Sequence, residues 1–397
     1  MTLSSSIDIG MSGLNGFSQE LQTISDNVAN LNTPGFKGSD AQFADLFYQD
    51  NSSSGGSGAS VGNGMQVLPS VVNFSKGPQT QTGVSTNLAV NGNSFFVTKD
   101  PKTGQIAYTQ DGQFQFDNKG YLVDSTGNTR VQALTSNGTL QDLSINGLQN
   151  SMPKASSTIT LSGNLSSTGN TPVVQNAIKV IDAAGGSHTL TATFTNSTTS
   201  PGTWTVAVTD GSTPVGSGTI TFSNGTLVSG KNTVSLTYSP AGVPAIPLTL
   251  TMDMNTTTYL AQASSLSLES VDGYAAGTIS NESFDQTGTL ILTYTNGQTV
   301  NGPVVALANF NSTQSLQHAG NNAFVTDNNS EAQLGTAGAT SAWGTITSGA
   351  IEGSNVNLST EFSNIIITQR GYQAASELIS TANQMMQDVL SMKGQGA

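Results

Sequence analysis

The chain contains no cysteine and very little positive charge. Without cysteine there is no disulfide framework, no thiol chemistry and no Cys-based metal site. It also means that nothing covalent prevents the chain from being exported unfolded and folding afterwards. Of 397 residues, 9% are charged, with 11 Lys and Arg against 24 Asp and Glu and a net charge of -13. A groove that neutralises phosphates needs clustered Lys and Arg, so nucleic acid is excluded as a partner. No stretch approaches the roughly 20 apolar residues of a membrane-spanning helix, so no membrane insertion is expected. Met1 to Phe36 alternates apolar with polar residues, and the first basic residue is Lys37. A cleaved secretory signal, with a basic start and a continuous apolar core, is not written there. Composition alone leaves two locations open, the cytoplasm and export without a cleaved signal.

Catalytic signals are equally sparse. Gly58-Ala59-Ser60-Val61-Gly62 matches G-x-S-x-G, but it sits in a Ser/Gly tract instead of between a strand and a helix. The two histidines, His188 and His318, lie far apart and are expected at the surface or in ordinary hydrogen bonds. No G-x-x-x-x-G-K-[ST] loop is present to cradle a nucleotide. Asp111, Asp117 and Asp210 stand in turn contexts and are read as turn residues in preference to calcium ligands. No cofactor, no metal and no enzymatic activity are expected.

What the sequence does have is two regular ends. Ile7, Leu14, Leu21 and Val28 recur every seven residues, flanked by Leu3, Phe17, Ile24 and Leu31, with Gly10 beside Met11 at a missing step. Such a repeat predicts a coiled-coil helix of about 44 Å, opened by a Ser5/Asp8 capping box and stopped by Asn32-Thr33-Pro34-Gly35. At the other end Leu358, Ile365, Tyr372, Ile379 and Met386 are seven apart, with Ala375, Ala382 and Val389 as companions. Asn357 is the expected N-cap, Glu361 sits in the first turn, and Lys393 and Gly394 close the helix. Leu378, Met385 and Met392 form a second apolar stripe. Two stripes require more than one partner, and sparse charge leaves few ion pairs to limit the coil to two strands. An apolar stripe also serves to pair two helices within one molecule. That does not explain why the most regular helices lie at the extreme ends, where uncovered apolar surface calls for burial between subunits.

Between the ends the pattern is β. Phe114 and Phe116 precede a turn at Asp117 to Gly120 and then Tyr121-Leu122-Val123. Trp204, Val206 and Val208 alternate before Asp210-Gly211, Ile220 and Phe222 before Asn224-Gly225, and Leu290, Leu292 and Tyr294 before Asn296-Gly297. Asn-Gly and Asp-Gly between alternating runs are hairpin signals. Antiparallel sandwiches or barrels are therefore expected. The fold class is mainly β with long α-helices at both termini, in a nested multi-domain arrangement. Residues 1–32 and 357–397 are expected to form the helical coiled-coil domain, and residues 33–70 a linker region containing the Ser/Gly/Asn tract. Residues 71–145 and 285–356 then form one β domain from two chain segments, and 146–284 an inserted β-sandwich or barrel.

Several segments together carry a resemblance. Asn27, Asn30, Asn32, Thr33, Gly35 and Phe36 lie in a run, from Met11 to Lys37, that resembles the N-terminal signature of bacterial flagellar axial proteins, the rod and hook family. Asn91-Gly92-Asn93-Ser94-Phe95-Phe96 is similar to a turn of that family, as is Tyr108 to Val123, although Gln110 stands where Arg is typical. The segment Ser348 to Leu358 and Gln369-Arg370-Gly371-Tyr372-Gln373 complete the match, in the right order, over roughly half the chain. Gly371 departs from the helix former common there. Length and the large second β segment favour the hook members over rod members such as the distal rod subunit. A secreted β-sandwich adhesin would suit the Thr-rich middle but would need a secretion signal and no terminal heptads.

The resemblance implies a structural subunit of a curved tubular homopolymer, passing torque from rod to filament as a universal joint. It implies an extracellular place in the hook and basal body, reached by the type III flagellar export apparatus without a cleaved signal. Its partners would be copies of itself and the distal rod, hook cap and hook-filament junction proteins. The terminal helices would line the channel and the β domains would form outer layers.

Overall fold

The computed structural model describes residues 3–46, 62–239, 247–326, 332–338 and 342–394. The chain divides into two compact units, residues 1–146, 282–291 and 301–397 in the first and residues 147–281 and 292–300 in the second. The architecture is mainly β, with one long helix at each terminus.

In the first unit, helix α1 spans Leu3–Ala29 and helix α2 spans Leu358–Gly394. Because α1 already runs from Leu3, Ser5 lies inside it and the expected capping box does not form its start. It also ends earlier than Asn32. Asn30 N–H reaches both Asp26 and Asn27 carbonyls, its side-chain amide donates to the Asp26 carbonyl, and Thr33 Oγ1 donates to Asn30 Oδ1. Those local bonds wind the chain into turns before the proline is reached. α2 starts where the sequence places it, with Asn357 Oδ1 accepting from Ser359 N–H at 3.0 Å and Thr360 N–H at 3.3 Å.

The segment expected as a linker holds an antiparallel ribbon of β1 (Ser39–Asp45) and β2 (Met65–Val72). A two-stranded ribbon is marginal alone in water. This one lies against α1, where Phe43 and Met65 approach the space that a side chain at Gly16 would fill. The Gly58-to-Gly62 match falls almost entirely outside the described residues.

The β portion of the first unit is built from both halves of the chain. Phe95–Lys99 pairs with Ile106–Thr109 and with Leu307–Asn309, while Leu88–Asn91 pairs with Thr345–Ser348 and Gln79–Gln81 with Ala350–Glu352. Phe95, Tyr108, Phe310 and Phe324 fill its core with Phe74, ring against ring at centroid distances of 4.8 to 6.2 Å. The Phe114/Phe116 hairpin forms as predicted, Gly120 N–H closing its turn onto the Asp117 carbonyl.

The second unit is centred on a nine-stranded, barrel-like sheet. Its strands alternate in burial, so Phe194, Trp204, Val206, Val208, Leu236 and Leu250 point into one core while the intervening Thr and Ser face outward. The Asn224-Gly225 turn has both residues at positive φ, 51° and 84°, as a tight two-residue hairpin requires. One pairing departs from the antiparallel expectation, since Thr158–Ser166 runs parallel to Leu248–Leu260. These strands come from the two ends of the unit, and a long connection permits parallel pairing where a hairpin does not.

The terminal helix pair as candidate polymerisation interface

α1 meets α2 antiparallel. Asn27 faces Glu361, Phe17 faces Gly371, Gly13 faces Ala375 and Gly10 faces Ile379. The seam is made by small residues as much as by large ones. A Cβ at Gly10 would lie 2.6 Å from Ile379 Cγ1, and one at Gly371 2.6 to 2.9 Å from the Phe17 ring. Gly371 therefore gives up helix propensity for close approach.

Of the residues singled out in the sequence, Ile24 is buried, while Ile7, Leu14, Phe17, Leu21, Val28 and Leu31 are half-buried beside the glycine face. Ile365 and Ile379 are half-buried in the seam, and Ala382 is buried. Leu358, Tyr372, Met386 and Val389 are exposed, as are Gln369, Arg370 and Gln373. The side chain of Leu3 lies outside the described residues.

Much of the large apolar surface of α2 is uncovered. Ile367 is 67% exposed, Leu390 63% and Met392 76%, and Phe362, Ile366, Leu378 and Met385 are also exposed. On ideal helix geometry Ile367, Leu378, Met385 and Met392 fall within roughly 40° of one another, and Phe362 and Ile366 lie roughly 120° away. Phe362, Ile366 and Ile367 were missed in the sequence because the heptad count followed only the seven-residue spacing. The Phe362/Ile366 separation of one helical turn was the available signal.

A buried polar collar fixes the base of the pair. Asn27 Nδ2 donates to Glu361 Oε1 at 3.1 Å and to the Ser39 carbonyl at 2.9 Å, while its Oδ1 accepts from Ser39 N–H. Burial raises the Glu361 carboxyl above the ordinary carboxylate range, against the opposing effect of the Asn27 bond. Just beyond, Lys37 Nζ donates to Glu352 Oε1 at 2.6 Å and to the Ser75 carbonyl at 2.9 Å, with both charged side chains almost fully enclosed. Desolvation lowers the Lys37 pKa, and the Glu352 bond works against it. Gly77 N–H also donates to Glu352 Oε1. Asn355 Oδ1 accepts from Gly38 N–H, and its amide donates to the Asn73 and Ser75 carbonyls. Neither ion pair nor collar is visible in the sequence, because the partners are 315 and 334 residues apart.

The remaining motif residues hold the chain just after α1. Gly35 is buried at φ 69°, and a Cβ there would lie 2.5 Å from the Asp111 backbone N. Phe36 is buried, Asn32 exposed, and Asn30 and Thr33 half-buried. Asn322 Nδ2 donates to the Pro34 carbonyl. Phe95 and Phe96 are buried, Asn91 is exposed, and Gly92 lies tight against the Trp343 carbonyl. Gln110 is buried and donates to the Ser94 carbonyl at 3.4 Å. His188 is hydrogen-bonded to Asp182 at 2.9 Å, and the His318 ring lies against Phe324. Among the described residues no group of three or more His, Cys, Asp or Glu side chains is placed to hold a metal, and no helix is long and apolar enough to cross a membrane.

An uncovered terminal helix pair joined to a β body defines an axial-type building block, and four family matches place it in the flagellum. Residues 7–37 match the flagella basal body rod protein family and residues 347–392 the flagellar basal body rod FlgEFG protein C-terminal family. Residues 89–167 match the flagellar hook protein FlgE/F/G D1 domain, and residues 166–274 the flagellar basal body protein FlaE D2 domain. The flagellar hook protein FlgE of Escherichia coli (strain K12) is 30% identical over 96% of this chain and 98% of its own length. That of Treponema pallidum (strain Nichols) is 30% identical over 97% and 98%. The crystal structure of Helicobacter pylori flagellar hook protein FlgE2 aligns at a TM-score of 0.44 and 14% identity, covering 67% of this chain and 98% of that one. The chain belongs to the flagellar hook protein FlgE family. It is a structural subunit of the flagellar hook, assembling with itself within the axial structure, and not an enzyme. The distal-rod and adhesin readings are not favoured.

Proposed function

We propose that the terminal helix pair is the polymerising element of this hook subunit. In this reading Ile7, Leu14, Phe17, Leu21, Ile24, Val28, Leu31, Ile365 and Ile379, with Leu3, set the pair. Leu358, Tyr372, Met386 and Val389 then meet other subunits. The observation that supports it is the run of uncovered Ile, Leu, Val and Met side chains along α2, too continuous for a monomer in water. The nested division follows: residues 1–32 and 357–397 form an inner tube and 33–70, with its ribbon, the connection. Residues 71–145 with 285–356 form one β layer, and 146–284 an outer one.

Torque is carried around the bend by a division of labour. Apolar burial between helices supplies cohesion, while Ser- and Thr-rich β surfaces exchange contacts through water as each protofilament lengthens and shortens. The subunit leaves through the flagellar export apparatus without a cleaved signal, which the cysteine-free sequence suits. It assembles beneath the hook cap between the distal rod and the hook-filament junction proteins. A chain lacking residues 373–397 should stay folded and soluble and fail to assemble, and polymers formed by that chain would sink the proposal. Electron microscopy of basal bodies from cells without this gene should show complete rods that end bare. Truncated rods would make it a rod component instead.

A further inference from the structure

Of the three enclosed ionisable groups in the collar, Lys37 and Glu352 neutralise each other and Glu361 has no opposite charge. Glu361 stands in the first turn of α2, is 8% exposed, and accepts from Asn27 Nδ2 at 3.1 Å. It borders a cavity of about 200 Å³ within the first unit. Asn27 lines that cavity from α1, Asp40 from β1, Asn73 from just beyond β2, Asn355 from the approach to α2 and Asn364 from α2 itself. Among the described residues that line it, Asp40 is the only other ionisable side chain, and it carries the same charge. Lys37 is close in sequence, but its Nζ is committed to Glu352 and to the Ser75 carbonyl.

Opposing influences act on this carboxyl. The first turn of a helix attracts an anion, and the Asn27 and Asn364 amides also favour the charged form. Enclosure is the largest influence, and together with the Asp40 charge it outweighs the amides. Glu361 therefore holds a proton more tightly in the folded chain than in the unfolded one. A Gln at this position would keep the Asn27 bond through its own Oε1 and have no charge to enclose. What a glutamate adds is a dependence of the α1–α2 base on proton concentration.

We propose that Glu361 is a proton-operated latch at the base of the helix pair, closed when its carboxyl is protonated and loosened when it is ionised in the cavity it shares with Asp40. The protonated group keeps an oxygen to accept from Asn27 and gains an O–H of its own. The ionised group leaves an uncompensated charge beside the cavity and draws water towards it. Loosening reaches the backbone through Asn27, whose Oδ1 accepts from Ser39 N–H at 2.9 Å and whose Nδ2 donates to the Ser39 carbonyl. Because the folded state binds the proton more tightly, this stabilisation is complete below the ordinary Glu value of about 4.3. It is lost as pH rises through the higher folded value. The latch acts within one chain, whether or not copies assemble.

Hydrogen exchange of the full-length monomer tests it, read at Ser39 N–H with barrel amides as the control. Corrected for the intrinsic exchange rate, the opening constant of the wild type should rise with pH above about 4.3 and then level off. Its slope should not exceed about tenfold per pH unit, the limit for one proton. Glu361→Gln should abolish the rise, so that Ser39 N–H opens less often than in the wild type at pH 7. Asp40→Asn should shorten the rise and end it at lower pH. The barrel amides should be alike in all three chains. Equal or more frequent opening of Ser39 N–H in Glu361→Gln at pH 7 overturns the latch, and a change of the same size in the barrel amides overturns it as a local device. Direct titration decides the matter even where Glu361→Gln packs badly. In the wild type the Glu361 Cδ resonance should titrate above the ordinary Glu value, and in Asp40→Asn its midpoint should fall. A wild-type midpoint at or below the ordinary value rejects the latch.

Discussion

The barrel-like unit and the terminal helix pair use the same side chains to opposite ends. In the barrel every second residue of a strand is apolar and buried, so Trp204, Val206 and Leu250 have no contact with water. In α2, apolar residues of similar size stand exposed, Ile367 and Met392 at two-thirds and three-quarters of their surface. The barrel is a completed fold whose periodicity closes on itself. The helix pair is covered only where α1 and α2 touch and where the β1–β2 ribbon lies against α1. Burial within one chain thus separates the part of the sequence that stabilises the subunit from the part available to build something larger.

Substitutions sharpen this contrast, the strongest first. Trp204→Ala should cost about 3–5 kcal/mol in urea unfolding of the subunit, the ordinary price of emptying a filled core site. Lys37→Met should cost a similar amount, about 3–5 kcal/mol, by leaving the enclosed Glu352 carboxylate without its cation. Adding Glu352→Leu to Lys37→Met should recover most of that loss. If it does not, the collar is more than an ion pair. Gly371→Ala should destabilise the helix pair by about 1–3 kcal/mol through the Phe17 ring. Helix propensity alone predicts a gain of about 1 kcal/mol, so the sign decides whether the seam is as close as described.

Acid should act on the barrel unit through Asp182. The His188 bond, with the Gly186 and Ala184 N–H groups, holds its carboxyl below the ordinary value, against the opposing pull of burial. A depressed carboxylate contributes stability above its unfolded pKa, about 3.9, and loses it as pH falls through the lower folded value. Acid unfolding followed by near-ultraviolet circular dichroism should therefore be shallower in Asp182→Asn. The smallest effect is the most telling. Ile367→Ser should change monomer stability by less than about 0.5 kcal/mol while reducing assembly. A large loss in the monomer would mean that α2 is finished within one chain after all.

The sequence was most legible where structure is local. Asn-Gly turns marked hairpins, and Asn357 marked the start of α2, because a few adjacent residues decide each. The heptads announced two helices but not which side of each is covered. Gly10, Gly13 and Gly371 carry the seam, and glycine has no weight in a hydrophobic count. The β1–β2 ribbon was hidden by the Ser/Gly tract between its strands, since composition reported the connection and not the strands beside it. Nothing in the sequence marks Lys37 and Glu352 as partners, and only the fold brings them together.

That long separation also orders events in time. The hairpins of the barrel join neighbours in sequence, and local contacts form early because little loop entropy is lost in closing them. Asn27 with Glu361, and Lys37 with Glu352, cannot meet until the last eighth of the chain is reached. Before then, enclosing Lys37 would strand its charge, so premature closure is penalised at the point where the two helices join. A chain synthesised N-terminus first therefore has its hairpins free to form while its helix pair is still open. Completion of the subunit is timed by the arrival of its own tail.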